Sequence, residues 1–352
     1  MAVSASDTLA SAPVRASSPC RVDMGGTLDI APFFYPLAHL SPLTVNIALN
    51  LRTTVSLQPH REGFVKVSSK GFESAEFPLA QLPLDHPLGL MFAVAAYFHV
   101  EGIHIRIDSQ SPPESALGGS SVAAVALIGA YQSLFTRMGE PTVQRGRIAL
   151  LARDIEAITA GVPCGVQDQL AAVYGGVHAW HWKGAADEEG FQKERLIAEK
   201  QHSALDKSVL LAYCGIPHAS KNINGRWVSQ FLSGRFHPEW KEIAECSRAF
   251  AASLQSLNWA EAAYWMNREA DIRIRLTPDV LDETGKKLVS AVRGRGCGAR
   301  FCGAGGGGCI WAIGEPGPVS NVKDEWRAIL DKTADGRLLD AAIDAEGLRM
   351  EA

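Results

Sequence analysis

A chain of 352 residues with 47% hydrophobic and 20% charged content has the balance of a globular protein, and enough length for two domains. Its net charge of -4 gives no electrostatic case for nucleic acid or an anionic membrane as partner. No run reaches the roughly 18 apolar residues that cross a bilayer. Residues 1–19 are rich in Ala and Ser without a continuous apolar core, so they read as a disordered leader rather than a secretory signal.

The first structured segment is Pro19–Asp29, where an alternating strand runs into a Gly25-Gly26 turn. Arg21 is a charge inside a strand pattern and needs a partner or a site. Asp29 falls in the loop after the turn, placed either to accept ligand hydroxyls or to bond its own backbone. Strands are expected over 43–49, 52–57, 64–68 and 102–108, with an apolar helix over 87–100.

The segment Pro112–Ser121 is a Gly/Ser turn that opens onto Val122–Ala130, small and apolar all round. Such a run is a buried helix, and its start presents unpaired N–H groups, the positive dipole end and two hydroxyls. That is either an ordinary capped core helix or an anion site, with phosphate the commonest guest. A second helix, 143–159, carries Glu156 in its last turn, where the dipole disfavours a carboxylate unless water or a cation holds it. Asp168 lies in the polar Gln167-Asp168-Gln169 at the start of a short helix, which Gly175-Gly176 ends. A strand over 177–182 and a polar stretch over 183–207, read as a hairpin tip or lobe junction, follow.

The second half begins with a buried strand, 208–213, and a loop through His218, a usual place for substrate contacts. Helices are expected over 240–257, 259–276, 278–294 and 319–332, with strands over 309–313 and 338–343. Strands alternating with helices in both halves indicate an α/β or α+β fold. The seven cysteines include no CxxC, and His and Cys do not recur at zinc-ligand spacing, so buried thiols in a reducing cytosol are expected.

Gly303, Gly305 and Gly308 satisfy GxGxxG, but a strand pattern follows Gly308 where a dinucleotide-binding unit needs a helix. There is no GxxxxGK[ST] either. Four consecutive glycines are costly in unfolded-state entropy, so close approach of something to the backbone is expected.

Four segments in order, Arg21–Asp29, Pro112–Ser121, Gly165–Gly176 and Gly303–Cys309, resemble the motifs of the GHMP small-molecule kinase superfamily, nearest its sugar-1-kinase branch. The resemblance spans residues 20–350. It implies an α+β, two-lobed fold with a ribosomal-S5-domain-2-like N-terminal lobe (20–205), a ferredoxin-like C-terminal lobe (206–352) and a site between them. It implies an ATP- and Mg²⁺-dependent kinase acting on a hydroxyl, in this branch the anomeric one, of a sugar or sugar phosphate. A kinase of a non-sugar alcohol and a catalytically silent ligand-binding relative are the alternatives. On this resemblance Asp168 is the base and Arg21 the adjacent positive charge. Pro113, Leu117, Gly118, Gly119, Ser120 and Ser121 hold ATP, and Ser120 (or Ser121) with Glu156 holds the metal. Asp29, Gly26, His218, Gly305, Gly306 and Gly307 face the substrate. The resemblance further implies a cytoplasmic monomer or homodimer with no nucleic-acid or membrane partner. Two departures stand out: the first motif is one residue short between Arg21 and Asp29, and Glu114 and Ala116 occupy positions where glycines are usual.

Overall fold

The computed structural model describes residues 5–161, 164–183, 190–217 and 223–351. Along the chain the strands are β1 (Val14–Met24), β2 (Leu43–Pro59), β3 (Phe64–Ser69), β4 (Ala75–Pro78), β5 (Ile103–Ser109), β6 (Val177–Trp182), β7 (Phe191–Arg195), β8 (Val209–Tyr213), β9 (Cys297–Phe301), β10 (Cys309–Gly314), β11 (Arg337–Leu338) and β12 (Arg349–Glu351). The helices are α1 (Ala5–Ser11), α2 (Ala31–Phe34), α3 (Gly89–Phe98), α4 (Gly119–Arg137), α5 (Arg145–Ala160), α6 (Gln167–Tyr174), α7 (His202–Asp206), α8 (Ile223–Leu232), α9 (His237–Gln255), α10 (Trp259–Leu276), α11 (Glu283–Ala291) and α12 (Pro316–Leu330).

The expected two-lobed α+β architecture is present. The first lobe is an eight-stranded sheet ordered β12-β1-β2-β5-β3-β4, with β6 and β7 added beside the start of β2. The second is an antiparallel β11-β8-β10-β9 sheet backed by α10 and flanked by α11 and α12. The two strands expected over 43–57 are the single strand β2. β1 pairs along both halves of it; the first half has β6 on its other side and is buried on both faces, and the second half has β5 there and alternates buried with half-exposed. That change of burial made one strand look like two. A register shift between Pro19 and Cys20 lets β1 carry a proline.

α4 is the central helix, packed against β1, β2, α3, α5 and α6. It is long and apolar enough to cross a bilayer by length and composition, contrary to the sequence expectation, but it spends its apolar surface inside the core. Gly129 on α4 admits Leu348, whose methyl would lie 2.7 Å from any added Cβ.

Three expectations are corrected. From residue 5 onward the segment expected to be a disordered leader is ordered: Leu9 of α1 is buried, and β1 begins at Val14 and pairs with β2 and β12. The second lobe does not run to the end of the chain. After β11 the chain recrosses, Ile343 bridges Leu49, and β12 pairs with Arg15–Ser17 of β1. The strand expected over 338–343 shrinks to Arg337–Leu338.

Candidate active site

β1 delivers two charges to one place. Cys20, Val22 and Met24 take one face of the strand, so Arg21 and Asp23 share the other. Arg21 is 3% exposed. Its Nε donates to Asp168 Oδ1 and its Nη2 to Asp168 Oδ2, both at 2.8 Å, and its Nη1 donates to the carbonyl of Ala116 at 2.8 Å. The planar guanidinium therefore ties the first turn of α6 to the Pro112–Ser121 loop through one side chain. The Arg21 amide also donates to the Leu117 carbonyl.

The pair stands in a cavity of about 710 Å³ between the lobes. One wall is the start of α4: Gly118, at φ +80, turns the chain, and Gly119, Ser120 and Ser121 line the cavity. Ser120 Oγ donates to Glu156 Oε1 at 2.8 Å, Ser121 Oγ to Oε2 at 2.7 Å, and Gln169 Nε2 to Oε2 at 2.7 Å. Burial, with the Asp168 charge nearby, pushes the Glu156 carboxyl above its ordinary range against those hydrogen bonds. An anionic carboxylate beside two hydroxyls and a second carboxylate is a setting that a hard cation relieves. Among the described residues no group of three or more His, Cys, Asp or Glu is placed to hold a metal, so Mg²⁺ here would take its remaining ligands from phosphate and water. The serines thus share one acid, where the sequence left Ser120 and Ser121 as alternatives.

The opposite wall carries Asp29, 6% exposed, which accepts the Gln167 amide at the start of α6 at 3.1 Å. Gly165 is forced by this packing: a Cβ there would fall 1.7 Å from Asp29 Oδ2. Burial lifts the Asp29 carboxyl to about 6, and the Asp168 charge adds to the rise. Gly26, Thr27, Gln167 and Asn224 also line this end, and Gln167 is held through Asn46 to Trp180. The remaining boundary is mixed: Phe72, Leu88, Leu90, Met91 and Ile107 give it an apolar patch, and Thr53, Ser69, Lys70, Gln110 and Arg337 add polar and cationic groups.

The glycine loop joins β9 to β10, so the strand expected after Gly308 is there. It braces the Pro112–Ser121 loop: the Cys309 amide donates to the Ser115 carbonyl, and a Cβ on Gly308 would lie 2.6 Å from that oxygen. Gly303 and Ala304 reach the cavity, whereas Gly305, Gly306 and Gly307, expected to face substrate, are not among its lining residues. The Gly305 and Gly306 amides are spent on the Cys302 and Val280 carbonyls. Leu117 is also displaced from its expected place. Its side chain is fully buried in the core, and its carbonyl anchors β1. Pro113 and Gly26 do line the cavity. His218 lies outside the described residues.

Glu114 and Ala116 adopt φ +51 and +60. The backbone thus keeps the left-handed turns that favour glycine while carrying side chains. Residues that sequence reasoning passed over are Asp23, Gln167, Gln169, Glu269, Arg273 and Arg300. The alternation of Arg21 with Asp23 in a buried strand was the signal for Asp23. The other two arginines and Glu269 lie on a helix and strand of the second lobe and are gathered only by tertiary packing.

Comparison with known proteins bears on the family and the fold. The GHMP kinases N terminal domain matches residues 87–176 and the GHMP kinases C terminal domain residues 250–332. The chain is 24% identical over 335 residues to a mevalonate kinase of Thermococcus sibiricus, covering 86% of this chain and 90% of that one. A D-glycero-D-manno-heptose 1-phosphate kinase structure from Bacteriodes thetaiotaomicron superposes with TM-score 0.73 at 18% identity, covering 96% of this chain and 99% of that one. Lactococcus lactis galactokinase complexed with galactose gives 0.75 at 16%, covering 96% and 95%. At those identities the structural likeness speaks for the fold alone.

Proposed function

We propose that this chain, which belongs to the GHMP kinase family, transfers the γ-phosphoryl group of ATP to a hydroxyl of a sugar or sugar phosphate, the anomeric hydroxyl in the preferred form. GHMP kinases are phosphotransferases with hydroxyl acceptors and ATP as donor, so the proposal concerns the acceptor and the residues. The observation that carries it is the Arg21–Asp168 pair between the α4 N-terminus on one side and Asp29 on the other.

In this reading the Gly118–Ser121 turn and the start of α4 bind the phosphates, as N–H groups and dipole favour. The apolar patch around Phe72, Leu90 and Met91 takes the base. Ser120, Ser121 and Glu156 hold Mg²⁺, which when bound neutralises phosphate charge. Asp29, Thr27, Gln167 and Asn224 orient the acceptor, and Asp168 accepts its hydroxyl proton while Arg21 fixes the carboxylate and faces the transferring group. Hydrogen-bonding groups around Asp29 suit a polyol. A carboxylate acceptor would have to approach Asp29 and Asp168, whose neighbouring cation Arg21 is already engaged.

The test is an ADP-release screen of monosaccharides and their phosphates, with product regiochemistry by NMR. A second reading, a kinase of a small hydroxy acid, is favoured by the mevalonate kinase similarity over most of the chain. It prevails if sugars fail and such acids turn over. If no acceptor class gives ADP release, the silent-relative reading remains.

A further inference from the structure

Behind Arg21 lies a chain of charges that the phosphoryl-transfer chemistry does not require. Arg21 Nη1 is 3.6 Å from Asp23 Oδ1. Asp23 Oδ2 accepts from Arg300 Nη1 at 3.0 Å, and its Oδ1 accepts the Gly303 amide at 2.7 Å. Arg300 Nε donates to Glu269 Oε2 at 2.9 Å, and Arg273 Nε donates to Glu269 Oε1. Arg273 then reaches, from behind, the turn at Gly26 and Thr27 that lines the cavity. Its Nη2 donates to the Gly26 carbonyl at 2.5 Å and its Nη1 reaches Thr27 Oγ1 at 3.4 Å. Trp227 and Trp240 flank its guanidinium at 4.9 and 5.1 Å.

Arg273, Arg300 and Glu269 are fully buried, Asp23 is 1% exposed and Arg21 3%. With Asp168 the chain holds three guanidiniums and three carboxylates, and Asp168 is its solvent-reaching member, at 23% side-chain exposure. Buried ion pairs are poor stabilisers, since desolvation offsets most of their attraction, so stability alone is a weak reason to keep five buried charges. Both ends of the chain touch the site: one holds the group that holds Asp168, the other holds the turn that leads to Asp29.

We infer that Arg300 and Arg273, both from the second lobe, are positioning residues with separate tasks: Arg300 sets Arg21 against Asp168, and Arg273 sets the Gly26–Thr27 acceptor turn. The inference rests on the kinase reading of the site. Its physical basis is competition for one guanidinium. Asp23 faces two arginines, and Arg300 satisfies it. Without Arg300 the buried Asp23 carboxylate draws on Arg21, the nearest remaining cation, at the expense of Asp168. Arg273 reaches Arg21 only indirectly, through Glu269, Arg300 and Asp23. Its fork spans Glu269, Gly26 and Thr27, a pattern that the single ammonium of lysine does not reproduce.

The test combines steady-state kinetics on the full chain, using the acceptor found by the ADP-release screen, with the Arg21 Nε–H signal in ¹H–¹⁵N NMR, assigned through Arg21→Lys. Arg300→Gln is expected to lower kcat by about 30-fold with acceptor KM within about threefold, and to move the Arg21 signal. Asp23→Asn/Arg300→Gln removes both charges together. It should return kcat to within about fivefold of wild type and bring the Arg21 signal back. Arg273→Lys should raise acceptor KM about tenfold, with kcat within about threefold and the Arg21 signal in place. Thermal melts confirm that each variant is folded at the assay temperature; if Arg300→Gln is not, Arg300→Lys and the double variant carry the comparison. The inference is overturned if Arg300 variants leave kcat and the Arg21 signal at wild-type values, if the double variant is as impaired as the single one, or if both arginine variants change kcat and KM in the same proportion. Should wild type turn over no acceptor, the kinase reading fails, and movement of the Arg21 signal in Arg300 but not Arg273 variants decides the positioning chain by itself.

Discussion

Arg21 and Asp168 meet through two parallel contacts of 2.8 Å, Nε to Oδ1 and Nη2 to Oδ2, across 147 residues of sequence. This fork-to-fork pairing fixes the carboxylate plane as well as its position, and the third arm of Arg21 holds the Ala116 carbonyl. On the proposed kinase reading, one cation thus orients both the proton acceptor and the loop that would hold phosphate. Asp168→Asn should lower kcat by about 100- to 10,000-fold while the Mg·ATP dissociation constant stays within about threefold. Arg21→Lys, which keeps charge but not the fork, should lower kcat by about 10- to 100-fold. Isothermal titration and an ADP-coupled assay measure both. Near-normal turnover by Asp168→Asn would remove Asp168 from the role of proton acceptor.

Asp29 gives a pH signature. Its carboxyl is lifted to about 6 by burial, above its value in an unfolded chain, so the folded state holds the proton more tightly. The stabilising contribution is fully present below about pH 4 and is lost as pH rises to about 6. Above that, the protein carries a buried anion whose support is the Gln167 amide at the start of α6. Asp29→Asn keeps an acceptor for that amide and removes the charge. It should raise stability by about 1–2 kcal/mol at pH 7.5, with the gain vanishing toward pH 4.5. Acceptor KM should rise about tenfold or more at the same time. Melting temperatures across pH check the first half and steady-state kinetics the second. A variant less stable than wild type at pH 7.5 would contradict the account.

What the sequence disclosed and what it withheld divide along physical lines. Arg21, Asp168, Glu156 and the Ser120-Ser121 pair were legible because each breaks a local rule: a charge in a strand, an acid at the wrong end of a helix, hydroxyls at an apolar helix start. Glu269 and Arg273 break none. They are four residues apart on α10 and look like an ordinary solvent-facing ion pair until α10 is laid on β9 and covered by the first lobe. Arg300 sits among apolar and small residues without a visible partner, since Asp23 is 277 residues away. The return of the chain end to the first sheet escaped notice because β12 is a three-residue exposed edge strand, too short for a periodic signal. Glycine signals close approach without saying to what: at Gly308 the approaching group is the Ser115 carbonyl, and at Gly305 it is the Val280 carbonyl.

The Ser115 contact makes Gly308 and Gly119 a matched pair. At Gly308, φ is +84 and a Cβ would meet the Ser115 backbone at 2.6 and 2.7 Å. At Gly119 no atom lies within 4 Å of the added Cβ, and the residue is the first of α4. Gly308→Ala should cost about 3 kcal/mol or more, from left-handed strain plus displacement of the phosphate loop, with Mg·ATP affinity falling about tenfold. Gly119→Ala should melt at or slightly above the wild-type temperature, since alanine favours the helix by up to about 1 kcal/mol. Its methyl stands in the cavity, so a raised KM for Mg·ATP of about tenfold is expected without any stability loss. Differential scanning calorimetry beside ATP titration separates the two. Equal stability losses would mean that the clash at Gly308 is absorbed elsewhere.

Glu114 and Ala116 are tested by the opposite substitution. Both hold a left-handed backbone that costs an ordinary residue about 1–2 kcal/mol and glycine nothing. Ala116→Gly relieves that strain but loosens the unfolded chain by about 0.5–1 kcal/mol, so a net gain of about 0.5–1 kcal/mol is expected. Glu114 adds charge. It is exposed at the cavity wall, on the loop that leads to the α4 N-terminus, where an anion opposes phosphate. Glu114→Gln leaves the backbone alone and should lower KM for Mg·ATP by about two- to fivefold at low ionic strength, an advantage that fades in high salt as screening grows. Glu114→Gly should show the same kinetic gain plus the gain in stability. If Glu114→Gln instead raises KM at every salt concentration, the carboxylate assists the nucleotide, and its placement at this wall serves binding rather than opposing it.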